Sequence, residues 1–449
     1  DYPLKDCGYT EPLMQTIVLN NLLIYGAMRL FGKTYIALRF PILIQSAAIF
    51  AILVWHCLRT IKNRGENRSW TIAGTVMVAA LLLTDFHFLM ASVTFESSIT
   101  RALFLLFIWL ILQSKKCPIF LKYFCVSLLS VISIFFVYLT NVFLIIPGVA
   151  LIVYAYCKQG GKSGGLALLG YGAGGIVGMI PAEIYYICVW KSGAVQKAFQ
   201  VIFAFSASGD VSYNGNYNIS MENFIQSWLC NLKNIFGAQP FFFNVFLCIL
   251  FFISIVVIAW YALRENRPED CFLVFAVLGF MLQTMIASDF AERKIITIYP
   301  LMMIALFDAS CAVPYISDWA QKHRLSAFSV VFAAFCVGIA SIWSGIALRL
   351  YDTKYYTSYI GDAEFAWRMV VVCSFLMVEL WGVLAVLFAI PGKLRMKQCI
   401  QIVSIAIGIG IGVNSFMSVK YYYTYNRYND MAACSVVKRE VGDNYLVGA

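Results

Sequence analysis

Apolar residues run along this chain in blocks of roughly membrane length, separated by short polar breaks. A helix that crosses a bilayer needs about 20 predominantly apolar residues. By that measure the pattern predicts spanning helices over 37–61, 70–90, 96–114, 119–138, 141–156, 166–189, 241–263, 271–288, 295–313, 327–348, 368–390 and 399–418, about twelve in 449 residues. The run 12–31 is also helical in pattern, but it carries Gln15, Asn20, Asn21 and Arg29. Its predicted place is the membrane interface, with Leu, Ile and Met on one side and amides on the other. The expected fold is an all-α polytopic membrane protein with an interfacial helix in its first outer loop.

The loops between these runs set an orientation. One set carries Lys62/Arg64/Arg68, Lys115/Lys116/Lys122, Lys158/Lys162, Arg264/Arg267, Lys322/Arg324 and Lys393/Arg395/Lys397. The other set mixes acids and bases over 1–11, 86–95, 190–240, 289–294, 349–366 and 419–449. The positive-inside rule assigns the first set to the cytoplasm. Both ends of the chain then fall outside, and the parity holds at every loop. A start outside calls for a cleaved signal or an upstream span, which would bring the intact total to about thirteen. Three regions follow: a first extracytoplasmic loop over 1–36, a transmembrane domain over 37–418 with an outer loop at 190–240, and the start of an extracytoplasmic segment at 419–449. A polar loop of that length is usually functional. The last segment opens on Tyr421-Tyr422-Tyr423-Thr424-Tyr425, an aromatic interface belt.

Composition sharpens the picture. The chain is 61% hydrophobic and 12% charged, with a mean hydropathy of +0.79. Soluble domains carry about 45–50% apolar and about 25% charged residues. That excludes an ordinary soluble protein, a disulfide-rich module and a disordered chain. The net charge of +10 sits in the short basic loops, so it reads as membrane topology and not as a nucleic-acid surface. The 14 cysteines fall mostly inside apolar runs, as Cys125, Cys248, Cys336 and Cys373 do, and form no CxxC pair. They read as small apolar helix residues.

Candidate chemistry is sparse. Gly170-Tyr171-Gly172-Ala173-Gly174-Gly175 matches GxGxxG, but no strand precedes it. Its glycines give the small-xxx-small spacing of close helix packing, as do Gly408 and Gly412. The three histidines, His56, His87 and His323, cannot form a zinc cluster: His323 falls in a cytoplasmic loop and His56 near a cytoplasmic helix end. His87 follows Asp85 at an outer helix end, close to Glu96. The strongest signal is the set of charges at outer helix ends: Asp6, Glu11, Arg39, Asp85, Glu96, Arg101, Asp289, Glu292, Arg293 and Lys294. Ionisable groups at membrane depth are costly and functional by default. Carboxylates beside Arg and Lys suit a phosphorylated lipid headgroup, with cations on the phosphate and a carboxylate as base. Snorkelling charges and simple ion pairs are the competing reading of the same residues.

Short motifs in the first third of the chain carry a resemblance. Lys5-Asp6, Glu11-Pro12-Leu13, Leu30-Phe31-Gly32 and Ala37-Leu38-Arg39-Phe40-Pro41 occur in that order. They resemble the first outer loop of GT-C glycosyltransferases, the group that includes protein O-mannosyltransferases and aminoarabinose transferases. In that group an "RD" element leads to "PPL", an interfacial helix ends in "LFG", and "ALRLP" opens the next span. Ala91-Ser92-Val93-Thr94-Phe95-Glu96 is similar to an outer helix start that carries an acid. Val137-Tyr138-Leu139-Thr140-Asn141 is similar to an "LTK" break with Asn for Lys, and Arg293 with Tyr299-Pro300-Leu301 to an "RY…LP" step. The likeness covers about 1–310, and Thr10-Glu11 stands where the group often has His.

The resemblance implies transfer of a sugar from a polyprenyl-phosphate donor to a lipid, glycan or protein acceptor on the extracytoplasmic face of the plasma membrane. The acceptor-activating acids would then lie upstream of Lys5-Asp6, or Asp1 or Asp6 would fill the role. Within the chain the expected base is Asp6, with Glu11 and Glu96 as acid-site or metal-coordinating groups. Arg293 and Lys294 would hold phosphate with Arg39 or Arg101 as helpers. A divalent ion is a candidate cofactor, with Glu11 and His87 as candidate ligands. Two rivals stand beside this reading. A transporter or flippase of lipid-linked saccharides would place charges mid-membrane, where Glu183, Asp308 and Glu379 are candidates. A polysaccharide polymerase or ligase would use the large outer loop 190–240.

Overall fold

The structure, a computed structural model, describes residues 18–32, 34–63, 71–72, 74–76, 78–79, 88, 97–191, 193–196, 243–286 and 296–322. The spans expected at 327–348, 368–390 and 399–418, the loop at 197–240 and the segment 419–449 lie outside the described residues. The chain divides into two compact units, one of residues 1–75, 90–235 and 250–312, the other of 76–89, 236–249 and 313–449. Few residues of the second are described; they are helical wherever they are.

The first unit is a helical bundle. In chain order it contains α1 (Val18–Phe31), α2 (Tyr35–Asn63), α3 (Ser97–Gln113), α4 (Ile119–Ile132), α5 (Ile145–Gln159) and α6 (Gly161–Trp190). It continues with α7 (Phe243–Arg264, joining the unit at residue 250), α8 (Pro268–Ile286) and the greater part of α9 (Tyr299–Lys322). No strand occurs among the described residues. Each helix follows an apolar run of the sequence. Among the described residues, four segments are long and apolar enough to cross a membrane: Arg39–Lys62, Ile119–Val137, Asn141–Gln159 and Gly161–Val189.

α3 is the core. Ser98–Leu103, Leu105, Leu106, Ile108, Trp109 and Leu112 are all buried, so the helix is wrapped by others and not set on a surface. α2, α4 and α8 pack on it. The tightest pair is α4 with α6. A Cβ at Gly170 would run into the backbone of Phe120, and one at Gly174 into the backbone of Phe124. Four-residue glycine spacing thus lets two helix backbones touch, which is how helices associate where lipid removes the hydrophobic drive between them. The GxGxxG string is a packing stripe.

Connections are short and built by glycine where the chain must turn sharply. Gly160 alone joins α5 to α6 at φ 86, ψ 164, a conformation essentially restricted to glycine. Gly32 ends α1 at φ 73. Thr34 then caps α2, its Oγ1 accepting the Ala37 N–H at 3.2 Å.

α1 does not divide cleanly into an apolar side and an amide side. Its inward face is Asn20, Ile24 and Ala27, while Leu22, Leu23, Tyr25, Leu30 and Phe31 point outward. An amide faces the protein and leucines face away, because Asn20 finds a hydrogen-bond partner in the bundle and leucines suit a lipid solvent.

Candidate functional site

Two polar clusters interrupt this apolar bundle, at opposite ends of α3. The first begins where α1 and α2 meet the start of α3. Thr100 Oγ1 lies 2.5 Å from Asn20 Oδ1 and 2.5 Å from Gln45 Oε1. One hydroxyl proton serves one of these oxygens, so the second amide must turn its NH2 toward Thr100. Three helices are thereby tied at one buried point.

Next to it lies Arg101, 2% exposed. Its Nε donates to Asn141 Oδ1 at 2.6 Å, and its guanidinium carbon sits 5.0 Å from the centre of the Tyr138 ring. Asn141 in turn donates from Nδ2 to Ser133 O at 3.1 Å and Ser133 Oγ at 2.8 Å. The reason is a break in the chain. After α4 comes a π turn, Ser133–Val137, then Tyr138 in extended conformation, then a 3-10 turn, Leu139–Leu144. Extended Tyr138 stops the helical ladder while its own N–H still reaches Ser133 O at 3.1 Å, and the Asn141 amide joins it there as a second donor. A fixed guanidinium at such a break, in a low-dielectric setting, attracts an anion far more strongly than one in water.

Of the residues expected to form the site, Arg101 and Arg39 are described. Arg39 is half-buried on α2, at the same end of that helix as Gln45. Asp6, Glu11, His87, Glu96, Arg293 and Lys294 lie outside the described residues. Among the described residues no group of three or more His, Cys, Asp or Glu is placed to hold a metal ion. Glu183, a mid-span charge in the sequence, accepts the backbone N–H groups of Ala194 at 2.8 Å and Val195 at 3.2 Å. It caps the helical turn that opens the 190–240 loop.

The second cluster was not legible in the sequence. His56 Nε2 lies 3.0 Å from Asp308 Oδ1, with both residues buried and the imidazole edge-on to Trp109 and Phe307. Arg267, in the turn between α7 and α8, reaches Asp270 at 3.1 Å, Glu269 at 3.5 Å and Asp308 at 3.8 Å. Burial works against the guanidinium charge. The carboxylates of Asp270, Asp308, Glu269 and Glu265 outweigh it and hold Arg267 above its ordinary value. Burial pushes the carboxyl of Asp270, 1% exposed on the first turn of α8, well above the usual carboxylate range, with Arg267 opposing. Tyr154 Oη donates to Ala262 O and accepts the Arg267 N–H, each at 2.8 Å, tying the end of α5 to the same turn. The only sequence signal was an ionisable residue inside each of two apolar runs, 252 positions apart.

The bundle therefore defines an all-helical protein whose longest apolar helices have membrane length. Compared with protein families, with curated proteins and with solved structures, the chain finds no match.

Proposed function

We propose that this is a multi-pass membrane glycosyltransferase of the GT-C kind, moving a sugar from a polyprenyl-phosphate carrier to an acceptor at the extracytoplasmic face. The observation that carries the reading is Arg101: a buried guanidinium at the end of an apolar helix, beside a broken helix and under the helix that the first-loop motifs lead into. Its neighbour Asn141 belongs to the "LTK"-like break, and Leu30-Phe31-Gly32 ends α1. One motif of the resemblance, the break at Asn141, thus holds a cation that is costly to bury without use.

In the proposed reaction the acceptor oxygen attacks the anomeric carbon with inversion, and the bond to the phosphate oxygen breaks. The hydroxyl proton passes to a carboxylate, Asp6 in this chain or an acid upstream of it. The carrier leaves as polyprenyl phosphate. Phosphate is a weak base, so the protein needs to supply a base and cations more than an acid. Arg293 and Lys294 are proposed for the phosphate, with Arg39 or Arg101 as helpers, and Glu11 and Glu96 for the acid site or a divalent ion.

Membranes from cells expressing the protein, given polyprenyl-phosphate sugars with a labelled sugar, test this. Transfer should occur, and Asp6→Asn should lower kcat by about 10²–10⁴-fold if that residue is the base. No transfer from any such donor would reject the reading. The buried His56–Asp308 pair favours a second one, a transporter or flippase of lipid-linked saccharides, because charges inside apolar helices mark transport paths. Movement of the carrier across proteoliposomes without sugar transfer would select it.

A further inference from the structure

At the end of the bundle opposite α1 a cleft of about 510 Å³ opens between two connections. Clefts of about 300–1,000 Å³ are the size that takes small ligands. One side is basic: Lys115, in the turn between α3 and α4, and Lys122, on the first turn of α4, with the Gln113 amide beside them. The other side is acidic: Glu265 and Glu269, flanking the turn from α7 to α8, with Asn266 between them. Arg267 also lines the cleft, but its charge is spent on Asp270, Glu269 and Asp308. Lys122 donates to Leu112 O at 3.2 Å, which fixes the ammonium and leaves two of its three N–H donors. Lys122 and Glu269 are within electrostatic reach of one another, so the cleft presents a dipole and not a single sign of charge.

A ligand that matches must carry an anion and a cation a few bonds apart. The cleft's position narrows the source. It lies where α3 and α5 end and α4 and α8 begin, at the end of helices with membrane length, which is headgroup depth. Leu121 and Leu263, within two residues of the basic and acidic sides, are 47% and 64% exposed, as surfaces that meet acyl chains should be. The cation's type follows from the lining. A quaternary ammonium is held by aromatic faces, and among the described residues no Phe, Tyr or Trp lines this cleft. Carboxylates and an amide oxygen instead accept N–H bonds.

We propose that this cleft binds the headgroup of a phospholipid carrying both a phosphate and a primary ammonium, its phosphate on Lys115 and Lys122 and its ammonium on Glu265 and Glu269. The purified full chain, stripped of lipid in detergent, is titrated with dioleoylphosphatidylethanolamine, and the thermal midpoint is read. The midpoint should rise more than with the phosphatidylcholine or phosphatidylglycerol of the same chains. Lys115 and Glu265 are exposed, so Lys115→Gln and Glu265→Gln should melt like the parent without lipid. Each should need about tenfold more phosphatidylethanolamine for half the effect, the loss expected for one charge-assisted contact. Glu265→Gln should also erase the preference over phosphatidylglycerol. Phosphatidylglycerol or phosphatidylcholine acting as well as phosphatidylethanolamine on the parent protein, or both variants titrating like the parent, would overturn the proposal. O-phosphoethanolamine in water separates the sources: a shift at comparable concentration assigns the cleft to the free zwitterion of the same chemistry, and no shift assigns it to the lipid.

Discussion

Replacing Gly174 by alanine should separate α4 from α6. A methyl group at that position would stand 2.9 Å from the carbonyl carbon of Phe124 and 3.0 Å from its Cα, with the carbonyl oxygen nearer still. Carbon atoms rest at about 3.5–4.0 Å, so the shortfall is roughly 0.5–1 Å. The obstacle is backbone on a helix, which cannot rotate away as a side chain does. Overpacking of this kind costs about 1–3 kcal/mol. The same stripe provides its own controls. At Gly175 the Cβ would meet only Ser127 Oγ at 3.3 Å, a hydroxyl that can turn aside, and at Gly172 it meets nothing within 4 Å. Alanine is the better helix former by about 0.5–1 kcal/mol, so Gly172→Ala should be neutral or stabilising. Melting of the three variants in one detergent, followed by tryptophan fluorescence, should rank Gly174→Ala well below Gly175→Ala and Gly172→Ala highest. Equal midpoints for Gly174→Ala and Gly172→Ala would refute the packing argument, since both substitutions make the same chemical change on the same helix.

Three further outcomes follow from the polar clusters. Asp308→Leu should cost about 3–5 kcal/mol by leaving a buried partner behind, and His56→Leu should cost far less in that background than alone; additive losses in the double-mutant cycle would show that the pair is not coupled. Asn141→Ala removes the acceptor of Arg101 and the donor to Ser133, so stability should fall by about 1.5–3 kcal/mol in chemical unfolding, and a change below about 0.5 kcal/mol would reject that role. Burial raises the Asp270 carboxyl in spite of the Arg267 guanidinium beside it, so ionising the acid is harder in the folded chain than in the unfolded one. Its contribution is complete below the ordinary carboxylate value of about 4 and is lost as pH climbs through the raised one. Melting midpoints of the parent should therefore decline over that rise, and Asp270→Asn should flatten the decline; identical pH profiles would contradict it.

Much of the bundle was readable because each long apolar run among the described residues carries one helix. A segment in lipid must satisfy its backbone internally and present apolar side chains, so helix positions follow from run length alone. The run 96–114 is α3, 241–263 is α7 and 271–288 is α8, each displaced by a few residues. The glycine stripe was readable for a related reason, since a spacing of four repeats on one helix face. Run length does not say which helix is central. α3 is buried along most of its length, yet its composition differs little from that of α4, whose buried residues form only one stripe.

Polar pairing is where pattern reading ended. The charges at Arg39 and Arg101 stood out because each interrupts an apolar run near its start, and position alone marked them. What Arg101 touches could not be read, since Asn141 lies 40 residues on, beyond a span and inside a π-to-3-10 break that has no sequence period. The same holds at the other end of α3. Nothing in the string joins His56 to Asp308, because the contact is set by how α2 and α9 pass Trp109 and Phe307. A bundle of interchangeable apolar helices fixes its neighbours through few specific contacts, and these buried polar ties are among them. His56, Thr100, Arg101 and Asp308 therefore carry more information about which helices meet than the far larger apolar area does, and the cost of leaving any one unpartnered penalises wrong pairings.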